Sequence, residues 1–171
     1  TGAQNDRMTR DPGWYLLNIG RHIERLHFFA SVLESAIDSG VLTNPYRDTA
    51  GFNALLGLFD STITFHAQHQ QSRDLDALLE LLVFNEENPR SLACITRKLR
   101  NRLAKLTHSE IRGEKMHADV LVHLVPVVRD MRFDELKKLM RSCIEQAWAI
   151  SDEITARYFT HIHHSEYKIQ R

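Results

Sequence analysis

Arg21 and Arg25 stand four residues apart, a spacing that puts two side chains on one face of a helix. Two guanidiniums held together suit a carboxylate or a phosphate, since each presents parallel N–H donors to paired oxygens. Trp14, Asn18, Phe28 and Val32 extend the same face, and Glu24 reaches Arg21 at three residues. Charges among apolar neighbours need partners, because an unpaired buried charge costs several kcal/mol or forces a pKa shift. The pair therefore has two readings. Either it holds the anionic group of a ligand or partner, or it ties its helix to a carboxylate elsewhere in the chain. Asp60 is the carboxylate expected there, because Asp60-Ser61 and Thr64 set small polar groups in the middle of an apolar helix.

Other candidate chemistry is weaker. Arg90, Arg97, Lys98, Arg100, Arg102 and Lys105 make one stretch strongly basic, and Asp74, Asp76, Glu80, Glu86 and Glu87 precede it. Mutual compensation is the expected outcome. Nucleic-acid binding is the alternative, and it is disfavoured: Lys+Arg and Asp+Glu both total 22, and no aromatics interleave with the basic stretch. Ten histidines include His66 and His69 at three residues and the His161-x-His163-His164 cluster. None carries the added carboxylate or histidine of a helix-borne zinc site such as His-Glu-x-x-His. No Gly-x-Ser-x-Gly, phosphate-cradling glycine loop or cysteine in an electropositive turn is present. The residues name no catalytic group, no cofactor and no metal.

At 171 residues the chain fits a single domain, 1–171, that buries roughly two-thirds of its unfolded surface. Cys94 and Cys143 fall among apolar helical positions and are expected to be buried free thiols. No apolar run approaches the ~20 residues of a membrane span. No secretory signal opens the chain, so a cytoplasmic setting is the default expectation. The first residue is Thr1 rather than Met, which fits a piece cut from something longer.

The elements that must position these residues are helices. Seven glycines and four prolines fall mostly at boundaries, and apolar residues recur at three and four. Asp11-Pro12 should start a helix that runs to about Ser39, with Leu16, Ile19, Ile23, Leu26, Ala30, Leu33 and Ile37 as its stripe and Gly40 as its stop. A second helix starts near Asp48 or Thr49, carries Phe52, Leu55, Leu56, Phe59, Ile63 and His66, and fades near Gln71. Asp74 caps a short third helix with Leu75, Leu78, Leu79, Leu82 and Val83 buried. Asn88-Pro89 repeats the cap-plus-proline device for a fourth, with Leu92, Ile95, Leu99, Leu103 and Leu106 as its stripe.

Thr107-His108-Ser109-Glu110 has capping-box spacing for a fifth helix, which Gly113 weakens and Pro126 kinks or ends. The last helix runs from about Phe133 to His163, spanning ~45 Å at 1.5 Å per residue. Its stripe is Phe133, Leu136, Met140, Cys143, Ala147, Ile150, Ile154 and Tyr158. Residues 165–171 are expected to fray. The fold class is all-α: a bundle of about five to six helices with a long C-terminal helix.

These residues carry a resemblance. Met-Thr-Arg-Asp-Pro-Gly-Trp at 8–14, Gly20-Arg21, Glu24-Arg25, Asp60-Ser61 with Thr64-Phe65, and Asn88-Pro89-Arg90-Ser91-Leu92 are similar to the bacterial alpha-E family. So is the closing Ser151-Asp152-Glu153-Ile154-Thr155-x-Arg157-Tyr158-Phe159. The family takes its name from a Glu-Arg motif, here Glu24-Arg25, and the chain resembles the second half of its helical region. The resemblance implies partners: a circularly permuted ATP-grasp protein and, often, a transglutaminase-like protease, a set that makes or trims amide bonds in peptides. One departure is Phe65-His66, where a Tyr-Arg-like pair is expected; a histidine there holds an anion only when protonated.

The expectation is a non-catalytic helical domain that docks onto or completes an ATP-grasp-type amide ligase. Its polar centre would be Arg21, Glu24, Arg25 and Asp60, with Trp14 and Arg90 beside it. Two alternatives are an enzyme whose site needs the absent half, and a purely structural helical module. A half-domain with an exposed apolar face would also be prone to homo-oligomerise.

Overall fold

A computed structural model describes residues 9–42, 48–70, 73–108 and 133–159. Asp11 and Pro12 start the chain's first helix as their chemistry requires. The Asp11 carboxylate accepts the Trp14 backbone N–H at 2.8 Å, and Pro12 occupies the first helical position. Helix α1 then runs over Pro12–Asp38. Gly40, at φ 78°, ends it; its N–H returns to the Ile37 carbonyl at 3.1 Å in a left-handed turn that glycine adopts without a Cβ penalty.

Five more helices follow among the described residues: α2 Thr49–Leu58, α3 Thr62–His69, α4 Leu75–Leu79, α5 Leu92–His108 and α6 Phe133–Tyr158. The all-α expectation holds. Helix α1 is the axis of the packing, lying against both α5 and α6. Ile19, Leu26, Ala30 and Leu33 of α1, Leu92, Leu99 and Leu103 of α5, and Met140, Ala147 and Ile150 of α6 share one core. Each fully buried leucine or isoleucine there contributes roughly 1.5–3 kcal/mol relative to exposure. Helices α1 and α6 run antiparallel in a regular register. Asp38 pairs with Lys137, Glu34 meets Arg141 at 2.6 Å, and the His27 ring meets the edge of Trp148 at 5.1 Å. Cys94 and Cys143 are free and buried, and burial pushes the Cys143 thiol up to about 11.

The last helix ends at Tyr158 rather than near His163, with Phe159 already in a turn, and three other boundaries also differ from the sequence expectation. The second helix does not continue through Asp60. It stops at Leu58, and Asp60 sits at φ 46°, with its N–H on the Gly57 carbonyl (2.9 Å) and the Ser61 N–H on the Leu56 carbonyl (2.8 Å). That paired pattern is the Schellman helix stop, with aspartate in the place usually taken by glycine. The corner lets Phe59 stack on Phe29 of α1 at 4.3 Å while Phe65 of α3 packs edge-on to Phe52 of α2 at 5.5 Å. A straight helix would carry those aromatics away from one core.

The short helix α4 continues as a π-helical stretch over Glu80–Phe84, closed by the Asn85 N–H on the Glu80 carbonyl at 2.8 Å. Its wider turn buries Leu81, Leu82 and Val83 in succession, whereas Leu75 and Leu79 are only partly covered.

The fourth helix begins at Leu92, not at Asn88-Pro89. Ser91 is its cap, accepting the Cys94 N–H at 3.0 Å and donating its hydroxyl to the Asn85 carbonyl. Asn88 is used elsewhere: its amide donates to the Leu81 carbonyl at 2.8 Å and its oxygen accepts the Arg90 N–H at 3.1 Å. The expected fifth helix, the His161–His164 cluster and the 165–171 tail lie outside the described residues. Among the described residues no helix is long and apolar enough to cross a membrane.

The Asp60 corner gives a stability test. Asp60→Gly relieves the left-handed backbone and gives up an exposed ion pair, opposing terms of about 1 kcal/mol each, so urea unfolding should stay near wild type. Asp60→Val loses the pair and adds a β-branched side chain at positive φ, and should cost about 2 kcal/mol. Equal urea midpoints for the two variants would contradict the left-handed turn.

Candidate functional site

The seam between α1 and α5 collects several buried polar groups among the described residues. Tyr15, Ile19, His22, Leu26, Phe29 and Leu33 repeat at three and four along α1, so His22 occupies a core position in an otherwise apolar and aromatic row. It is 6% exposed. The His22 Nδ1–H donates to the Asn18 carbonyl at 2.6 Å, and the Asn18 amide in turn donates to the Trp14 carbonyl at 2.8 Å. A carbonyl only accepts, so this bond assigns the proton to Nδ1.

Burial lowers the His22 pKa below its ordinary 6.5. Arg102, Arg25 and Lys98 lower it further against the bond to Asn18, which raises it. Burial and the positive charge of these three residues thus favour the neutral imidazole.

Trp14 closes the N-terminal end of the seam. Its ring, 8% exposed, takes the Arg102 guanidinium at 5.0 Å and the Arg10 guanidinium at 5.7 Å from its centroid, with Tyr15 edge-on at 5.1 Å. Each such cation–π contact contributes roughly 0.5–1 kcal/mol, the partly buried Arg102 at the upper end and the exposed Arg10 at the lower. Burial pushes the Arg102 guanidinium down from its ordinary value, as does Arg10, while Tyr15 opposes them. The group stays charged at neutral pH. Two donors here, Trp14 Nε1–H and Arg102 Nε–H, are buried without a hydrogen-bond partner among the described residues. Such donors normally find an acceptor.

The expected polar centre is divided by this arrangement. Asp60 does not face the arginines of α1: its carboxylate pairs with Arg90 at 2.5 Å, an exposed bridge between the α2–α3 corner and the turn before α5. The physical reason is the helix stop, which swings Asp60 out of the helix line and onto the surface. Arg90 is therefore a partner of Asp60. Arg21 is half-buried on α1, and Arg25 is exposed with its charge acting on His22.

Glu24 turns the other way and lines a groove with Ala147, Trp148 and Ser151 of α6. Phe28 is 46% exposed, so it does not share the burial of Trp14 and Asn18. Compensation of the basic helix reaches Arg97, which pairs with Glu86 at 3.5 Å and donates to its carbonyl at 3.0 Å. His66 is exposed, its Nδ1 at 2.7 Å from the Gln70 carbonyl, and the His69 ring packs on Phe65 at 5.0 Å.

The fold, and Glu24-Arg25 on its central helix, agree with one comparison. The sequence profile of a family described as a predicted alpha-helical domain with a conserved ER motif matches residues 1–159. The chain belongs to the Alpha-E family. Uncharacterised proteins of Mycobacterium tuberculosis and Mycobacterium bovis are similar to it, each 28% identical over 109 residues. The aligned stretch is 64% of this chain and 12% of each of those proteins, so this Alpha-E chain covers a small part of their length. No solved structure matches the chain.

Sequence reasoning did not single out His22, and it placed Lys98 and Arg102 only in the basic stretch, not beside α1. Two signals were available. His22 interrupts an apolar row of α1 at the period of the row itself, and Lys98 and Arg102 are four apart on the next long Alpha-E helix.

The buried His22 gives a pH dependence with a defined sign. Because its folded pKa lies below the unfolded value, its contribution is full above the ordinary histidine range and is lost as pH falls through the folded pKa. Between about pH 7.5 and about pH 5.5 the wild-type urea midpoint should fall further than that of His22→Gln. Parallel decreases would rule out a neutral buried imidazole at this position.

Proposed function

We propose that this Alpha-E domain is a non-catalytic accessory module of an ATP-grasp-type amide-ligase system. Its α1–α5 seam holds an anionic group of that system, the carboxylate of a peptide or the phosphate of an acyl-phosphate intermediate. The observation that carries the reading is the gathering of positive charge at the seam among the described residues. Arg102, Arg25 and Lys98 all act on one buried neutral imidazole, and Arg10 joins Arg102 on the Trp14 ring. Arginines in this setting present planar, paired donors, which match carboxylate and phosphate oxygens. The buried Nε–H of Arg102 and indole N–H of Trp14 offer two further donors to the same group.

Further support comes from the family resemblance, which brings the circularly permuted ATP-grasp protein and the transglutaminase-like protease as partners. The great length of the mycobacterial relatives beyond the aligned stretch leaves room for such partners in the same polypeptide. In this reading the seam binds and orients; bond making belongs to the ligase. An anion at the seam also relieves mutual repulsion among the cations, so binding is coupled to local stability.

The test uses Arg25→Gln combined with Lys98→Gln, because neither side chain is in the buried core. The doubly substituted chain should keep its helical circular dichroism and lose at least tenfold in the ATP consumption of the complete system with its ATP-grasp partner. That corresponds to about 1.4 kcal/mol of lost interaction. An unchanged rate with the fold intact sinks the proposal.

A further inference from the structure

The opposite flank of α1 carries a second, chemically distinct feature. Along the α1–α6 seam, two acids of α1 each meet a base of α6: Asp38 meets Lys137, and Glu34 meets Arg141. One step on, His27 meets Trp148. The next acid, Glu24, comes opposite Ser151, and α6 supplies it with no cation. Its carboxylate has no ion-pair partner among the described residues, although the same helix pair satisfies the other two. Between them lies a groove of about 280 Å³ lined by Ile23, Glu24, His27, Ala147, Trp148 and Ser151.

The lining is specific in kind. Ile23 and Ala147 are buried and form an apolar floor, while Trp148 is 60% exposed and shows a ring to solvent. The His27 and Trp148 rings meet in a T-shaped arrangement beside the groove, at an interplanar angle of 77°. A carboxylate, an aromatic face and an aliphatic floor together recognise a cation on an alkyl stem. The charge pairs with the acid, the ring quadrupole attracts it, and the stem covers the floor.

We infer that the Glu24–Trp148 groove is a binding site for an alkylammonium or guanidinium group, the chemistry of a lysine or arginine side chain or of a free amine. This site is independent of the anion seam. Glu24 and Arg25 are neighbours in sequence, but successive helical positions point about 100° apart, so the two residues serve opposite seams of α1. The groove is a place where a cation supplied from outside completes the charge pattern that α6 leaves unfinished.

The experiment follows the two indole N–H signals of the isotope-labelled full chain by NMR, with Trp148 assigned by Trp148→Phe. Capped lysine amide, capped arginine amide and butylammonium are titrated in turn, with capped norleucine amide as the uncharged control. The Trp148 signal should move and saturate at low millimolar ligand with the cations and stay in place with norleucine. Glu24→Gln, an exposed position that leaves the helical circular dichroism unchanged, should weaken the cations at least fivefold.

Tighter binding of the capped amino acids than of butylammonium assigns the site to a peptide side chain; equal binding assigns it to a free amine. An equal response to norleucine, a cation response unchanged in Glu24→Gln, or shifts that fail to saturate would each overturn the inference. None of these readings depends on the anion seam, and the ATP-consumption result at Arg25 and Lys98 leaves them untouched.

Discussion

Helix α1 is covered on two sides at once, by α5 along one seam and by α6 along the other, and this double burial governs the rest of the molecule. A helix packed on one side has a wide polar face for its charges. One packed on two sides has only narrow flanks, and each charge there must lie beside a neighbouring helix. That is why the α1 charges are organised by partner. Glu34 and Asp38 are neutralised by α6, Arg25 sits near the cations of α5, and Glu24 stands over a groove. The two residues of the Glu-Arg motif fall one on each side, because a single helical step is enough to move from one seam to the other.

The shorter elements serve that packing. The left-handed stop at Asp60 folds α2 and α3 into a corner, bringing Phe59 onto Phe29. The π turn at Glu80–Phe84 aligns three successive apolar residues with the core, at the cost of regular carbonyl partners that Asn88 then supplies. Asn85, Asn88 and Ser91, spaced by three, satisfy the backbone of the turn that delivers α5. Once delivered, α5 sets Lys98 and Arg102 against α1 and creates the positive seam. The Asp60–Arg90 bridge pins the same turn to the α2–α3 corner. The residues first read as one site thus divide into a structural bridge, a positive seam and an acid-aromatic groove.

Local chemistry was legible in the sequence wherever a few neighbouring residues decide the outcome. Asp11-Pro12 starts α1, Gly40 ends it, and Asp74 caps α4 as their side chains dictate. The stripes of α1, α5 and α6 were readable too, since burial of an amphipathic face depends on period alone. Misplacements came where a remote carbonyl or ring competed for a local group. Asn88 was drawn off to Leu81, and Phe59 to Phe29, so one helix starts later and another stops sooner than local pattern implies.

The candidate site shows the same division. The sequence alone determined that the chain is helical, that Arg21 and Arg25 lie on one face, and that a basic stretch occupies the fourth long run. It could not determine which helix lies against which flank, because helical periodicity specifies a residue's angle about its own axis and says nothing about the neighbour at that angle. Only the tertiary structure turned Glu24 toward Trp148, brought the charge of Lys98 and Arg102 to bear on His22, and gave Asp60 to Arg90. The physical reason is that charge pairing acts over a few ångströms between residues far apart in the chain, and their meeting is decided by how the apolar stripes pack.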